Sequence, residues 1–194
     1  ERKFFKNQDN SYVFRSESKT TGLISLFRKD HITEVSNWNF IDSNFFPLNY
    51  TYQHTGNKKN RDVEINFNWD SEVIVNRVND SVWKMKTEDG VLDKLLYQLI
   101  IMVDLKSGKI PNKYIIADGG KIKEYRFEKI KEEVIKTAIG SFNTTKLARY
   151  KKNKQETFLW CAHELNFLPI KVITKEKDGR ISKAIIKSLV GINY

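Results

Sequence analysis

The chain has 194 residues, of which 40% are hydrophobic and 30% charged, and its formal net charge is +10. This balance is typical of a folded globular protein and excludes a disordered chain. It contains no run of about 18 apolar residues that could span a bilayer as a helix. With only three prolines and nine glycines, it has no evident linker, so we expect a single domain over residues 1–194.

The first part of the chain alternates apolar and polar residues in the manner of half-buried antiparallel strands. In Val63–Trp69 every second side chain is a valine, isoleucine, phenylalanine or tryptophan, and the residues between them are polar. Leu48–His54 and Ile32–Phe40 repeat this alternation, and the aromatic segment Phe4–Ser18 predicts one or two further strands. Each of these strands should therefore have one apolar, buried face and one polar, solvent-exposed face.

Gly90–Leu105 has the spacing of an α-helix. Its apolar residues recur three and four positions apart, at Val91, Leu92, Leu95, Leu96, Leu99, Ile100, Met102 and Val103. Thr87–Asp89 offers oxygen side chains that could cap its start, and Lys106 and Gly108 suit its end. Because the apolar stripe is broad, the helix must be covered on more than one side.

After the helix, turn residues predict an antiparallel meander of about six strands. Asp118–Gly120 separates two β-prone runs, and Lys177–Arg180 separates two more, both with the Asp-Gly pair that tight hairpins favour. The predicted fold is therefore mainly β: a strongly curved antiparallel sheet, or an open barrel, wrapped around one central α-helix at about residues 90–106.

Three motifs in the C-terminal half resemble those of one protein family. Asp118–Phe127 resembles D-G-G-x-x-x-x-Y-x-F, and Leu159–Ile170 resembles L-W-x-A-x-E-L-x-x-L-P-V. Thr137–Thr144 resembles T-P-x-G-x-F-x-T, with Ala138 in place of the proline. Further matching segments follow in the same order upstream: Thr21–Leu23, Phe67–Trp69 and Asp89–Leu105. In these motifs the chain resembles an exported bacterial family catalogued as domain of unknown function number 3108.

The resemblance implies a β-rich protein of the Gram-negative cell envelope, facing the periplasm after removal of a signal peptide. Glu1 is not an initiator methionine, as expected for such a mature product. The family is distantly similar to lipoprotein-carrier and lipocalin-type proteins, in which a curved sheet wraps around a helix. It brings no established catalytic residues. The resemblance therefore favours an exported, non-enzymatic binding or envelope-maintenance protein.

Aromatic residues are the candidate ligand-binding groups. On a concave sheet they could line a space between sheet and helix that holds an apolar ligand, a lipid or a lipoprotein. The candidates are Trp38, Tyr50, Tyr52, Trp69, Trp83 and Trp160. The alternative is that the helix fills this space and that these side chains form an ordinary core.

A hydrolase built on Cys161 and His163 is the enzymatic alternative. Two residues apart on one strand, these side chains would share a face, but no orienting group or oxyanion hole is evident. The histidines lack metal-ligand spacing, and the sequence indicates neither a metal site nor a cofactor. Carboxylates that could pair in space are Asp30, Glu34, Asp42, Glu132 and Glu133.

The basic residues leave a polyanion-binding alternative open. They cluster at Lys58, Lys59 and Arg61, at Lys151, Lys152 and Lys154, and at Lys121, Lys123, Arg126, Lys129 and Lys131. Tyr125 and Phe127 alternate with charged residues, which places these rings on the opposite face, in the core. This argues against nucleic-acid binding, whereas a peripheral contact with an anionic membrane surface remains an expectation.

Overall fold

The structure is a computed structural model that describes residues 1–20, 30–56, 60–151, 154–175 and 179–190. These residues form two compact units, Glu1–Tyr97 with Ile115–Lys123, and Gln98–Tyr114 with Glu124–Tyr194. Most of the described residues lie in β-strands, and one segment is an α-helix. The prediction of a mainly β fold with one α-helix is therefore confirmed.

The first unit contains a seven-stranded antiparallel sheet in which each strand pairs with the next along the chain. Its strands are β1 (Arg2–Lys6), β2 (Tyr12–Lys19), β3 (His31–Ile41), β4 (Asn44–Thr55), β5 (Arg61–Asn68), β6 (Val73–Val78) and β7 (Ser81–Lys86). The alternation predicted for Val63–Trp69 is confirmed, because Val63, Ile65 and Phe67 of β5 are buried.

The helix begins later than its spacing predicts. Val91–Leu92 forms a short strand, β8, that pairs in parallel with Ile115 and Ile116 of β9 (Lys113–Ala117). The backbone N–H groups of Leu95 and Leu96 then donate to Oδ1 of Asp93, both at 2.8 Å, which stabilises the turn before helix α1 (Tyr97–Lys106). The predicted start at residue 90 is wrong because Asp93, and not a residue of Thr87–Asp89, accepts these N–H groups.

The end of the helix follows its predicted chemistry. Gly108 has a φ of +80°, and its N–H donates to the carbonyl of Leu105 at 3.0 Å. The N–H of Lys109 donates to the carbonyl of Asp104 at 2.9 Å. This pair of hydrogen bonds is the Schellman arrangement, in which a glycine adopts the left-handed conformation that other residues disfavour.

The second sheet has the order β14-β13-β12-β11-β10-β9-β8. Its remaining strands are β10 (Ile122–Thr137), β11 (Gly140–Lys151), β12 (Lys154–Ala162), β13 (Leu168–Lys175) and β14 (Ile181–Ile185). Strands β10 to β14 are antiparallel neighbours, so the predicted meander of about six strands after the helix is confirmed. The turn at Asp118–Lys121 forms as predicted, whereas residues 177 and 178 of the other predicted turn lie outside the described residues.

Within the second unit, apolar side chains gather around Trp160. Ile135, Ala162, Leu165 and Ile170 are buried with it, and partly buried hydrophobic residues such as Phe142 and Phe158 pack against this cluster. Tyr125 and Phe127 are also buried, as their alternation predicts. Among the described residues, no helix has the length and the apolar composition that crossing a bilayer requires.

Candidate functional site

One row of side chains crosses the whole first sheet. Cross-strand pairing aligns these residues on one face, because directly opposed residues of antiparallel strands point to the same side. The row, called the central row below, consists of Phe4, Phe14, Ser36, Tyr50, Ile65, Asn76 and Trp83. Its two ends are exposed aromatic rings, Phe4 at 57% and Trp83 at 45%, and its middle is buried.

A buried carboxylate contacts the middle of the central row. Asp93 is fully buried, and its Oδ2 accepts a hydrogen bond from Oγ of Ser36 at 2.5 Å. Burial raises the pKa of Asp93 to about 6, against the opposing effect of its hydrogen bonds from Ser36, Leu96 and Leu95. Since Asp93 also accepts two backbone N–H groups, it fixes the chain after β8 against the sheet face of the same unit.

A second polar contact lies beside this carboxylate. The hydroxyl of Tyr50 donates to Oε1 of Glu34 at 2.6 Å. Burial, followed by the negative charge of Glu34, raises the pKa of Tyr50 well above its ordinary value, so this hydroxyl keeps its proton. The contact therefore orients these two polar groups and offers no base-activated nucleophile.

Asn76 is the unusual member of the central row. Its side chain is fully buried, yet neither its Nδ2 nor its Oδ1 has a hydrogen-bond partner among the described residues. It lies directly opposite Ile65 on β5 and Trp83 on β7. A buried amide that makes none of its hydrogen bonds is rare in native proteins and usually marks a missing polar partner.

The turn between β9 and β10 lies against this end of the row. A Cβ added at Gly120 would be 3.5 Å from Cδ2 of Trp83 and 3.7 Å from Nδ2 of Asn76. Gly120 also has a φ of +75°, which suits a glycine. Nearby, Asp118 accepts a hydrogen bond from Lys123 at 2.7 Å and forms an ion pair with Lys94 at 3.6 Å.

The six aromatic residues predicted from the sequence have different environments. Trp38, Tyr50 and Trp160 are buried, Tyr52 and Trp69 are half-buried, and Trp83 is exposed. Trp38 stacks on Tyr12 with ring centroids 5.8 Å apart, and Nε1 of Trp69 donates to the carbonyl of Pro47 at 2.8 Å. Trp160 belongs to the second unit, whereas the other five lie in the first. Of the six, Trp83 is the most exposed, at 45%.

The Cys161/His163 alternative lacks the required geometry. Cys161 is fully buried, and burial raises the pKa of its thiol to about 12, so it remains protonated near neutral pH. Strand β12 ends at Ala162, and His163 begins a 3-10 turn instead of continuing the strand. The His163 ring nitrogen lies 2.9 Å from Oγ1 of Thr145. The expectation that both residues lie on one strand is therefore wrong.

Most of the other titratable candidates have partners of their own. Nε2 of His31 lies 2.8 Å from Glu17, and Nε2 of His54 lies 3.1 Å from Asp30. Glu132 pairs with Lys129 at 2.7 Å. Within the described ranges, no three histidine, cysteine, aspartate or glutamate side chains are grouped closely enough to hold a metal ion. These contacts are consistent with a structural role for each group.

A shallow groove of about 180 Å³ lies on the strands β4, β5 and β6. Six of its seven lining residues are polar, and the seven are Thr51, Gln53, Asp62, Val63, Glu64, Arg77 and Asn79. Because carboxylate, amide and guanidinium groups are mixed here, the groove favours neither an apolar ligand nor a polyanion.

The sequence offered little indication of the central row. Alternation identifies the apolar face, but Ser36 and Asn76 look like ordinary polar strand residues, and Asp93 looks like a polar interruption of a helix. The register that pairs Ile65 with Asn76 across β5 and β6 is supplied by the structure. Of the basic clusters, Lys58, Lys59 and Lys152 lie outside the described residues, as does the motif segment Thr21–Leu23.

The fold is similar to that of a solved structure, and the sequence matches a protein family. The crystal structure of a beta-barrel-like protein of domain of unknown function DUF1849 from Brucella abortus is similar, with a TM-score of 0.62 and 8% sequence identity. The similarity covers 96% of this chain and 84% of that chain, and at this identity it shows the fold alone. A search of the curated proteins finds no significant match. Residues 2–185 match the family described as "Protein of unknown function (DUF3108)", and the chain therefore belongs to this family.

Proposed function

We propose that this chain is an exported, non-enzymatic binding protein that holds an apolar ligand, a lipid or the lipid part of a lipoprotein, at the Trp83 end of the central row. The observation that supports this proposal is the buried amide of Asn76, which has no partner among the described residues and lies beside a half-exposed indole. An apolar surface with one unpaired polar group is typical of small-molecule sites.

The chemistry of Asn76 favours a ligand with a defined polar group. An amide side chain carries both donors and an acceptor, and leaving such a group unpaired in the interior costs about 1–3 kcal/mol. A ligand that carries an amide, hydroxyl or carboxyl group could pair with it, while its hydrocarbon part lies on the ring of Trp83. The class of ligand proposed is therefore an acyl compound with a hydrogen-bonding group near one end.

The position of Trp83 suggests how a ligand enters. Asn76 is inaccessible to solvent, while Trp83, directly opposite it, is on β7, an edge strand that among the described strands pairs with β6 alone. An edge strand is held on one side only, so its side chains move more readily than those of central strands. In this proposal the indole shifts to admit the ligand and then packs against its hydrocarbon part.

Export is proposed from the family motifs. A periplasmic location is consistent with a binding protein for lipids or lipoproteins of the cell envelope. Fractionation of Gram-negative cells that express the natural precursor would test it, with recovery of the processed chain in the periplasmic fraction as the expected result. Recovery of the unprocessed chain in the cytoplasm would contradict it.

Replacing Trp83 with alanine tests the binding site. We expect Trp83→Ala to weaken the binding of N-phenyl-1-naphthylamine, a neutral apolar fluorophore, by about tenfold or more, because a large aromatic contact is lost. The measurement is a fluorescence titration of the purified protein. Val82→Ala is the matched control, since Val82 is the preceding residue, lies on the opposite face of β7 and is 52% exposed.

Two results of this titration would contradict the proposal. One is a wild-type protein that does not bind the fluorophore. The other is equal weakening by Trp83→Ala and Val82→Ala, which would show that the probe adheres to exposed apolar residues in general. Circular dichroism of each variant would establish that the sheet is intact before binding is compared.

A further inference from the structure

The positive charge of the chain is concentrated in one of its two units. Residues 98–114 and 124–194 contain 18 basic and nine acidic side chains, so this unit carries +9 of the total net charge of +10. The first unit is therefore nearly neutral. Such an asymmetry is a physical basis for attraction to an anionic partner.

Lysines of the second unit align on one face of its sheet. Pairing places Lys131, Lys146, Trp160, Lys171 and Ile185 directly opposite one another across β10 to β14, in a single row. Lys183 shares this face, because it pairs with Ile173, which in turn pairs with Phe158. These lysines, with Trp160 and Ile185, are called the lysine face below.

Trp160 supports two of the lysines. The Nζ atoms of Lys146 and Lys171 lie 4.8 and 4.2 Å from the centre of the indole ring, which is a cation–π arrangement. Nε1 of Trp160 donates to Glu133 at 2.8 Å, and Glu133 also pairs with Lys131 at 2.9 Å. In the part of the chain that the structure describes, no ion pair engages Lys146 or Lys171, so their charges are available to a partner.

Exposed isoleucines lie among these lysines. Ile181 is 71% exposed and Ile185 is 38% exposed, both on β14. The pairing of Lys175 with Ile181 puts both on the same side of the sheet as the lysine face. Lysines that extend over apolar surface beside exposed aliphatic side chains suit the boundary between lipid headgroups and acyl chains, whereas a nucleic-acid surface needs no aliphatic contact.

We infer that the lysine face docks on the surface of a membrane that contains anionic phospholipids. The lysines contact the lipid phosphates, and Ile181 and Ile185 enter the interfacial layer. Binding is peripheral and reversible, and it falls as the salt concentration rises, because exposed charges are screened. This inference concerns the second unit and is independent of the ligand site proposed on the first.

Vesicle co-sedimentation tests the inference. The full chain is mixed with phosphatidylcholine vesicles that contain or lack 30% phosphatidylglycerol, on the order of the anionic content of natural membranes. We expect binding only to the anionic vesicles. Lys146→Gln/Lys171→Gln should lower this partition about 30-fold, the effect of two lysines near an anionic surface. The control Lys84→Gln/Lys86→Gln removes the same charge from exposed positions on β7 and should leave the partition within about twofold.

A substitution that leaves the net charge unchanged distinguishes binding to a membrane from binding to another polyanion. Ile181→Ser should lower vesicle binding about fivefold because an aliphatic contact with the interfacial layer is lost, while it should leave retention of duplex DNA unchanged. Should Lys146→Gln/Lys171→Gln fail to fold, Lys183→Gln, at an exposed position, provides the second variant. Absence of binding to the anionic vesicles, equal loss in both lysine pairs, or DNA binding as tight as vesicle binding would each overturn the inference.

Discussion

Replacing Asp93 with alanine is expected to lower the free energy of unfolding by about 3–5 kcal/mol. The substitution leaves the hydroxyl of Ser36 and the N–H groups of Leu95 and Leu96 without their acceptor in a fully buried position. Urea denaturation at pH 7 followed by circular dichroism would measure this loss. Since whole domains are stable by only about 5–15 kcal/mol, the variant should be close to unfolding.

Replacing Asp93 with asparagine separates the contribution of its hydrogen bonds to stability from the contribution of its charge. Asp93→Asn keeps an oxygen for the two N–H groups and can donate to Ser36, so it should fold, with stability at pH 7 equal to or above that of the wild type. If Asp93→Asn proved as unstable as Asp93→Ala, the buried charge itself would be required, and the hydrogen-bond account would be wrong.

The stability of the wild type, compared with that of Asp93→Asn, should depend on pH with a predictable sign. Burial raises the pKa of Asp93 from an ordinary 3.8 to about 6, so the folded state holds its proton at pH values where the unfolded chain has lost it. The stability of the wild type relative to Asp93→Asn should therefore fall by about 2 kcal/mol as the pH rises from 4 to 6, and stay nearly constant above 7. If the free energy of unfolding of the wild type relative to Asp93→Asn stayed constant or rose over this pH range, the raised pKa of Asp93 would be contradicted.

Asn76→Leu is expected to stabilise the protein by about 1–3 kcal/mol. Leucine has nearly the same shape as asparagine and removes two buried polar atoms that have no partner among the described residues. The same variant should bind decanamide about 10- to 100-fold more weakly than the wild type, because the ligand loses its hydrogen-bonding partner. A substitution that improves folding and impairs binding would identify a residue retained for function.

The matched control for this prediction is Asn66→Leu on the neighbouring strand β5. Asn66 is exposed, accepts a hydrogen bond from Asn49 and donates one to Glu64, so the same chemical change should alter stability by no more than about 0.5 kcal/mol. If Asn76→Leu instead destabilised the chain by more than about 1 kcal/mol, Asn76 would have a structural partner, such as an internal water, and would not await a ligand.

Local sequence patterns predicted much of the fold. The alternation in β5 marks its buried face correctly, and Asp118–Gly120 marks a hairpin because only a few residues tolerate its backbone angles. The helix start was missed because Val91 and Leu92 satisfy both a helical and a strand pattern. What decides between them is the pairing of β8 with β9, which is not local in sequence, together with Asp93, which accepts the N–H groups of Leu95 and Leu96.

The candidate site was less predictable. Aromatic residues are equally suited to a core and to a ligand site, and the structure places Trp38 and Trp160 in buried surroundings while leaving Trp83 half-exposed. The importance of Asn76 depends on its having no partner, which is a property of its three-dimensional neighbours. Likewise, the lysines of the second unit look scattered along the chain until strand register aligns Lys131, Lys146 and Lys171.

The most direct test of the central claim is to identify what the protein carries when it is isolated from its natural compartment. Gentle purification, organic extraction and mass spectrometry should recover an acyl compound with an amide, hydroxyl or carboxyl group, near one per chain in the wild type and depleted in Asn76→Leu. Recovery of no such compound from the wild type, or of the same amount from Asn76→Leu, would contradict a ligand site at Asn76 and Trp83.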